Sequence, residues 1–161
     1  MMKRIALCIL VGATLAGCST TRPSMSYVAP EVTANDATVL AADAAEHLAP
    51  ALPPARTTLV LDPPASQQND VMTPAMIEQL RATGYGVVQV EPNRPKDAPQ
   101  IEGVPLRYLV SPLQAGVLMR LQYQGIEAAR FYPRATDGTL VEAAPFTVRQ
   151  AGQHTAQGAE Q

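Results

Sequence analysis

Fifteen prolines, from Pro23 to Pro145, punctuate this chain, and they set the scale of any structure it can form. Proline lacks an N–H and clashes with the preceding helical turn, so it ends helices and is confined to strand edges. Long regular elements are therefore not expected. The chain has no Trp and only five Tyr and two Phe. A core must rest mainly on Val, Leu, Ile and Ala, in short elements.

Between the prolines the periodicities are readable. Asn35 to Ala49 reads as an alanine-rich helix, capped by Asn35 or Asp36 and ended by Pro50, Pro53 and Pro54. Val39, Leu40, Ala44 and Leu48 fall near one face, with Asp43, Glu46 and His47 elsewhere. Thr57-Thr58-Leu59-Val60-Leu61 reads as a strand. Thr73-Pro74 then gives a helix start, with a hydroxyl cap and proline at the first helical position. Met76, Ile77 and Leu80 form that helix's buried stripe, and Gly84 stands where a left-handed C-terminal residue is wanted. Tyr85–Val90 returns as a strand, so the unit predicts a right-handed β-α-β crossover with parallel strands. Glu91–Pro105 reads as an exposed loop.

The second half changes character. Leu106–Val110, Gly116–Tyr123, Ile126–Tyr132 and Leu140–Arg149 read as strands, broken at Ser111-Pro112, Gln124-Gly125 and Thr136-Asp137-Gly138. Val117, Met119, Leu121 and Tyr123 alternate with Leu118, Arg120 and Gln122, so one face is buried and the other partly wet. The predicted class is α/β in the α+β sense. A small mixed sheet carries a β-α-β crossover followed by an antiparallel meander, and one Ala-rich helix precedes it.

The N-terminus speaks of location. Lys3-Arg4 precede an apolar run, Ile5 to Leu15, too short to span a bilayer stably and followed by small residues: a secretory signal. Its ending, Leu15-Ala16-Gly17-Cys18, resembles the lipobox of bacterial lipoproteins. That resemblance implies diacylglycerylation of the Cys18 thiol, removal of residues 1–17, and acylation of the new amine. Residues 18–34 then read as a lipidated flexible tether, 35–149 as one compact domain, and 150–161 as a disordered tail. Ser19 follows the cysteine; in enteric-type sorting an aspartate there is the usual inner-membrane retention signal. The outer membrane, facing the periplasm, is the expected location.

Composition narrows the chemistry. Removing 17 of 161 residues leaves 144, enough for one domain. Losing Lys3 and Arg4 leaves ten basic against fourteen acidic side chains, which argues against direct nucleic-acid binding through a broad basic face. Cys8 leaves with the signal and Cys18 takes lipid, so no thiol remains for a disulfide, a metal or a nucleophile. His47 and His154, the only histidines, lack the clustered ligands that zinc needs. None of the serines sits in Gly-x-Ser-x-Gly. Asp62, Asp70 and Glu78 flank the β-α-β unit as a nominal acid/base set, a pattern that solvated carboxylates also give. No catalytic activity, cofactor or metal is expected.

Arg107, Arg120, Arg130, Arg134 and Arg149 lie on or beside the predicted sheet, accompanied by Tyr108, Tyr123, Phe131 and Tyr132. Arginine with aromatics is enriched at protein interfaces. The same pattern suits the wet face of an amphipathic sheet with aromatics in its core. Arg107, Arg120, Arg130, Arg134, Tyr108 and Tyr132 are therefore candidates for a partner interface, with the alternative left open.

The residues also resemble a known family, the conjugal transfer protein TrbH. The lipobox, the alanine-rich helix, Leu52-Pro53-Pro54-Ala55-Arg56-Thr57-Thr58, Leu80-Arg81-Ala82-Thr83-Gly84-Tyr85 and Pro105-Leu106-Arg107-Tyr108-Leu109-Val110 carry the resemblance. Arg130-Phe131-Tyr132-Pro133-Arg134 and Pro145-Phe146-Thr147-Val148-Arg149 complete it. It implies a lipoprotein of the mating-pair-formation machinery, a type IV secretion system that moves plasmid DNA between bacteria. It brings no catalytic residue. The expected work is structural: an envelope lipoprotein docking on other proteins of a conjugation apparatus. The alternative from another class is a free-standing periplasmic lipoprotein that binds a small ligand or the cell wall; a hydrolase is the third.

Overall fold

The structure, a computed structural model, describes residues 26–150 except 67, 92, 93 and 96. The signal, Cys18 and the tail beyond Gln150 lie outside the described residues. Two α-helices and a seven-stranded mixed sheet make up the described part. In chain order these are β1 (Tyr27–Val28), α1 (Ala34–Leu48), β2 (Thr58–Leu61), α2 (Met72–Thr83), β3 (Gly86–Gln89), β4 (Val104–Leu113), β5 (Gly116–Tyr123), β6 (Ile126–Pro133) and β7 (Thr147–Gln150). The sheet order is β3-β2-β4-β5-β6-β7, with β1 also on β4. The crossover is present, with β2 and β3 parallel, and the meander from β4 to β7 is antiparallel.

The ten-residue β4 joins the two halves. Its first part pairs in parallel with β2, Leu61 facing Leu106, and its second with β1, Tyr27 facing Leu109. β1 and β2 thus lie end to end along one edge of β4. At the junction neither strand supplies an acceptor for the Tyr108 N–H, and the Ser26 hydroxyl accepts it at 3.2 Å. Ser26, Tyr27 and Val28, which fall within the expected tether, are therefore part of the fold. A two-residue strand is too short to carry a period, which is why sequence reading misses it. β4 also runs through Pro105 and Pro112. Pro105 lies beyond the last β4–β5 pair, Leu106 with Tyr123, so its missing N–H leaves no neighbour unpaired.

Both helices cover one face of the sheet. Leu40, Ala41, Ala44 and Leu48 of α1 and Met72, Met76 and Leu80 of α2 meet Leu59, Leu61, Leu106, Tyr108, Val110, Met119 and Leu121, all without solvent exposure. The small side chains of α1 let it approach closely. Of the residues expected in this core, Ile77 is only half-buried and Val88 is exposed. β3 is the terminal strand, and Val88 points to the face no helix covers.

The helix ends differ from expectation in instructive ways. α1 is capped by Thr33: Asp36 N–H donates to its hydroxyl at 3.1 Å and the Asp36 carboxylate accepts the Thr33 N–H at 3.0 Å, a reciprocal capping box. α2 starts at Met72, and Asp70 accepts the N–H groups of Met72 and Thr73, both at 3.1 Å. Pro74 sits within the first turn, where its N–H would be free anyway. Gly84 takes the left-handed position expected of it, at φ 101°.

Leu140–Arg149 is not one strand. The turn at Thr136-Asp137-Gly138 closes with a single bridge between Arg134 and Leu140, and pairing resumes only at Thr147. Pro145 cannot donate to a ladder, and the neighbouring side chains Glu142 and Phe146 are drawn toward α1.

Leu80→Ala, measured by denaturant unfolding of the full mature chain carrying Cys18→Ser, should cost about 2–5 kcal/mol, as for other buried leucines. Val88→Ala should stay within about 0.5 kcal/mol. Equal effects would contradict the assignment of these side chains to opposite faces.

Candidate interaction surfaces

Register decides which arginines can meet a partner. Leu106, Tyr108 and Val110 oppose Tyr123, Leu121 and Met119, which oppose Ile126, Ala128 and Arg130. Tyr132, facing Val117, and Arg134 continue that series on the helix-covered side. Arg107, Gln122, Glu127 and Arg149 form a row across four strands on the other side. Leu109, Arg120, Ala129 and Thr147 form the next row.

On the covered side the polar groups answer one another. Asp36, Asp43 and His47 stand seven and four residues apart, which places them on one stripe of α1 facing β6. Arg134 forks onto Asp36, Nη1 to Oδ1 at 2.9 Å and Nη2 to Oδ2 at 2.7 Å, and its Nη1 also reaches the Gly138 carbonyl at 2.8 Å. Arg130 donates to Asp43 at 2.6 Å and to Glu142 at 3.3 Å. The Tyr132 hydroxyl also donates to Asp43. Asp36 and Asp43 are 1% and 6% exposed, so these carboxylates are structural partners of β6 and the residue that follows it.

Burial by itself would raise the Asp36 pKa, but hydrogen bonds from Arg134 and Thr33 hold it below the usual carboxylate value. Burial pushes the Tyr132 hydroxyl far up, and its bond to Asp43 adds to this, so it remains a donor. At the end of the stripe His47 stacks on Phe146, ring centroids 4.0 Å apart, and its Nε2 lies 3.2 Å from the Tyr123 hydroxyl. A second polar cluster lies under α2. There the Thr73 hydroxyl donates to Asp70 and accepts from Tyr108, and burial raises the Tyr108 pKa.

The six candidate interface residues therefore do not form one surface. Tyr108 and Tyr132 are fully buried with satisfied hydroxyls, so neither is available to a partner. Arg130 and Arg134 are committed to α1. Arg107 and Arg120 remain, on the uncovered face. The two-residue turn at Gln124-Gly125, with φ 47° and 73°, carries the missing signal. Such a turn fixes hairpin register, and counting back from it puts Arg130 opposite the buried Met119.

On the uncovered face, Glu127 is 8% exposed and accepts from Gln122 at 3.1 Å and from Arg149 at 3.1 and 2.5 Å. Its own burial would raise its pKa, but these donors bring the net below the ordinary value. Arg107 faces Asp62 at 3.7 Å. Asp62 thus belongs to this face, while Asp70 caps α2 on the other side of the sheet. Glu78 is exposed on α2, so the three carboxylates do not converge on a reacting centre. An open groove of about 600 Å³ runs beside α2, lined by Asp70, Thr73, Ile77, Glu78, Arg81 and, from β3, Gln89. Among the described residues no group of three His, Cys, Asp or Glu could hold a metal, and no helix is long and apolar enough to cross a membrane.

These features define an α+β module with one helix-covered and one uncovered sheet face, whose buried charges serve its own packing. Comparison with curated proteins and with solved structures gives no match. The family model for conjugal transfer protein TrbH matches residues 19–152, and the chain belongs to that family. Its function accordingly lies in conjugal transfer.

Two outcomes test the seam between α1 and β6. Arg130→Ala should cost about 3 kcal/mol or more by stranding Asp43 in the interior, whereas Arg149→Ala, on an exposed arginine, should cost about 1 kcal/mol or less. Burial also lowers the His47 pKa below its ordinary 6.5, with Asp43 opposing and Arg130 reinforcing. The folded state then holds this proton less well than the unfolded chain. The His47 contribution is full above 6.5 and is lost as pH falls from there through the folded pKa. Unfolding free energy measured from about pH 7 to about pH 5 should fall less steeply in His47→Gln.

Proposed function

We propose that this protein is an envelope lipoprotein, anchored by acyl chains on Cys18 in the periplasmic leaflet of the outer membrane, that docks on other components of a conjugative type IV secretion apparatus. The observation that carries the reading is the match to the TrbH family over residues 19–152, beginning at the residue after the lipobox cysteine. Three acyl chains make a stable anchor, since each buried methylene contributes about 0.8 kcal/mol and one chain alone is marginal. Ser19 in place of aspartate supports the outer membrane.

A non-catalytic, docking role suits the geometry. The polar groups of the covered face are consumed in packing, and the carboxylates considered for acid/base work are held apart. What the fold offers outward is surface: an uncovered sheet face, two terminal strands, and the groove beside α2. Lipid attachment concentrates such a module at the membrane and raises its effective concentration for neighbouring proteins.

The test is a mating assay with expression checked by blot. Deletion of the gene should abolish or strongly lower plasmid transfer while growth is unaffected, and Cys18→Ser should reproduce much of that loss. Mass spectrometry of the native protein should find acylated Cys18 at the N-terminus. Normal transfer by the deletion strain would remove the reading; an unmodified cysteine would remove the anchor from it.

A further inference from the structure

Arg120 stands at the middle of the uncovered face, between Leu109 of β4 and Ala129 of β6. Its Nε is buried without a hydrogen-bond partner. Among the described residues no carboxylate lies within ion-pairing distance of its guanidinium. The carboxylate whose charge it feels, Glu127, is already held by Gln122 and Arg149. Arg107 lies one diagonal step away, about 7–8 Å along the ladder, since it faces Gln122 while Arg120 faces Leu109. Its Nε is likewise buried and unpartnered, and Asp62 stands off at 3.7 Å. Two guanidinium groups side by side on this face, one with no carboxylate within ion-pairing distance and the other with Asp62 only at 3.7 Å, match the planar, multi-oxygen geometry of phosphate.

We infer that the uncovered face of the sheet lies against the membrane, with Arg107 and Arg120 holding the phosphates of anionic lipid headgroups. The inference deepens the lipoprotein reading and rests on acylation of Cys18. Eight residue steps lead from Cys18 to Ser26, and at no more than about 3.4 Å each they reach at most about 27 Å. Ser26 enters the sheet on the backbone of Tyr108, next to Arg107. The lipid is thus tied close beside the arginine pair.

Charge points the same way. The mature chain carries ten basic against fourteen acidic side chains, yet the rows across β4 to β7 on this face set Arg107, Arg120 and Arg149 against Glu127, with Asp62 following β2. Of the exposed glutamates, Glu31, Glu46 and Glu78 belong to α1, its approach and α2, while Glu91 and Glu102 lie in the connection between β3 and β4 and Glu142 follows β6. An anionic surface would therefore turn the helices away and draw the sheet in. Tyr27, 51% exposed, shares the row of Arg120 through its pairing with Leu109. An exposed tyrosine suits the headgroup boundary, with an apolar ring and a polar tip.

The test uses the full mature chain with Cys18→Ser, so that binding reports the face and not the acyl chains. It is sedimented with vesicles of phosphatidylethanolamine alone or mixed with phosphatidylglycerol. Binding should require phosphatidylglycerol and weaken as salt rises. Arg107→Gln and Arg120→Gln should each weaken it about fivefold, with Arg120→Lys retaining part and circular dichroism unchanged. Arg56→Gln, exposed and off the face, should bind as the parent does. Binding indifferent to phosphatidylglycerol or to both arginines would overturn the inference. So would an equal loss from Arg56→Gln, which would reduce it to net charge, or inorganic phosphate competing as well as the vesicles do. Because this chain carries no lipid, failure here is separate from failure of acylation, which mass spectrometry of the native protein decides.

Discussion

Two arginines on and just past one strand and two aspartates on one helix hold the covered half of the molecule in place. Arg130 of β6 and Arg134, the residue after its end, are four residues apart, on the same side and about 13 Å from each other at extended-backbone spacing. Asp36 and Asp43 are two helical turns apart, about 10.5 Å. The spacings are close enough for both pairs to close at once only when α1 runs nearly along β6, so the ion pairs fix direction as well as position. The alanines of α1 bring the helix near but could slide; Arg134 forked onto Asp36 cannot. Arg134 also takes the Gly138 carbonyl, and Arg130 takes Glu142. The loop after β6 is therefore folded over α1 by the same two side chains. Breaking either pair leaves a carboxylate in a place from which water has been removed.

How much of this is legible in the sequence depends on the range of the interaction. The crossover and the meander are legible because their signals are local: β-branched runs, the Thr73-Pro74 start and Met76–Leu80 spacing of the helix, Gly84, and the alternation from Val117 to Tyr123. The helix caps are local too, yet a choice among adjacent Thr33, Asn35 and Asp36 needs the backbone path. Asp36 reads only as a candidate cap and Asp43 only as lying off the apolar stripe, because their arginine partners are 98 and 87 residues away. Nothing near them distinguishes a helix carboxylate in water from one awaiting an arginine. β1 is invisible for another reason. Two residues have no period, and only the gap left along β4 gives them a place.

The arginines show most clearly what a list of residue types loses. Arg107, Arg120, Arg130 and Arg134 look alike in composition, and the sheet sorts them by parity. Register sends two of them under α1 and leaves two on the bare face. Among the described residues Arg130 and Arg134 each have a carboxylate at 2.6–2.7 Å, whereas Arg120 has none within ion-pairing distance and Arg107 has one at 3.7 Å, although Arg149 on the same bare face pairs with Glu127. A domain that needed all four for its own stability would have placed acids against all four.

On the proposed membrane contact this asymmetry would give the protein an orientation. β4 carries the entry of the chain at Ser26 on one edge and Arg107 on its open face, diagonal to Arg120 of β5, so a lipid on Cys18 would be tied close to the arginine pair. On that proposal the helices, with their exposed acids and the groove beside α2, would be on the side remote from the membrane. One face of a small sheet would then serve attachment and leave the elements packed on the other to face the transfer apparatus. The division follows from which side of the sheet α1 was pinned to.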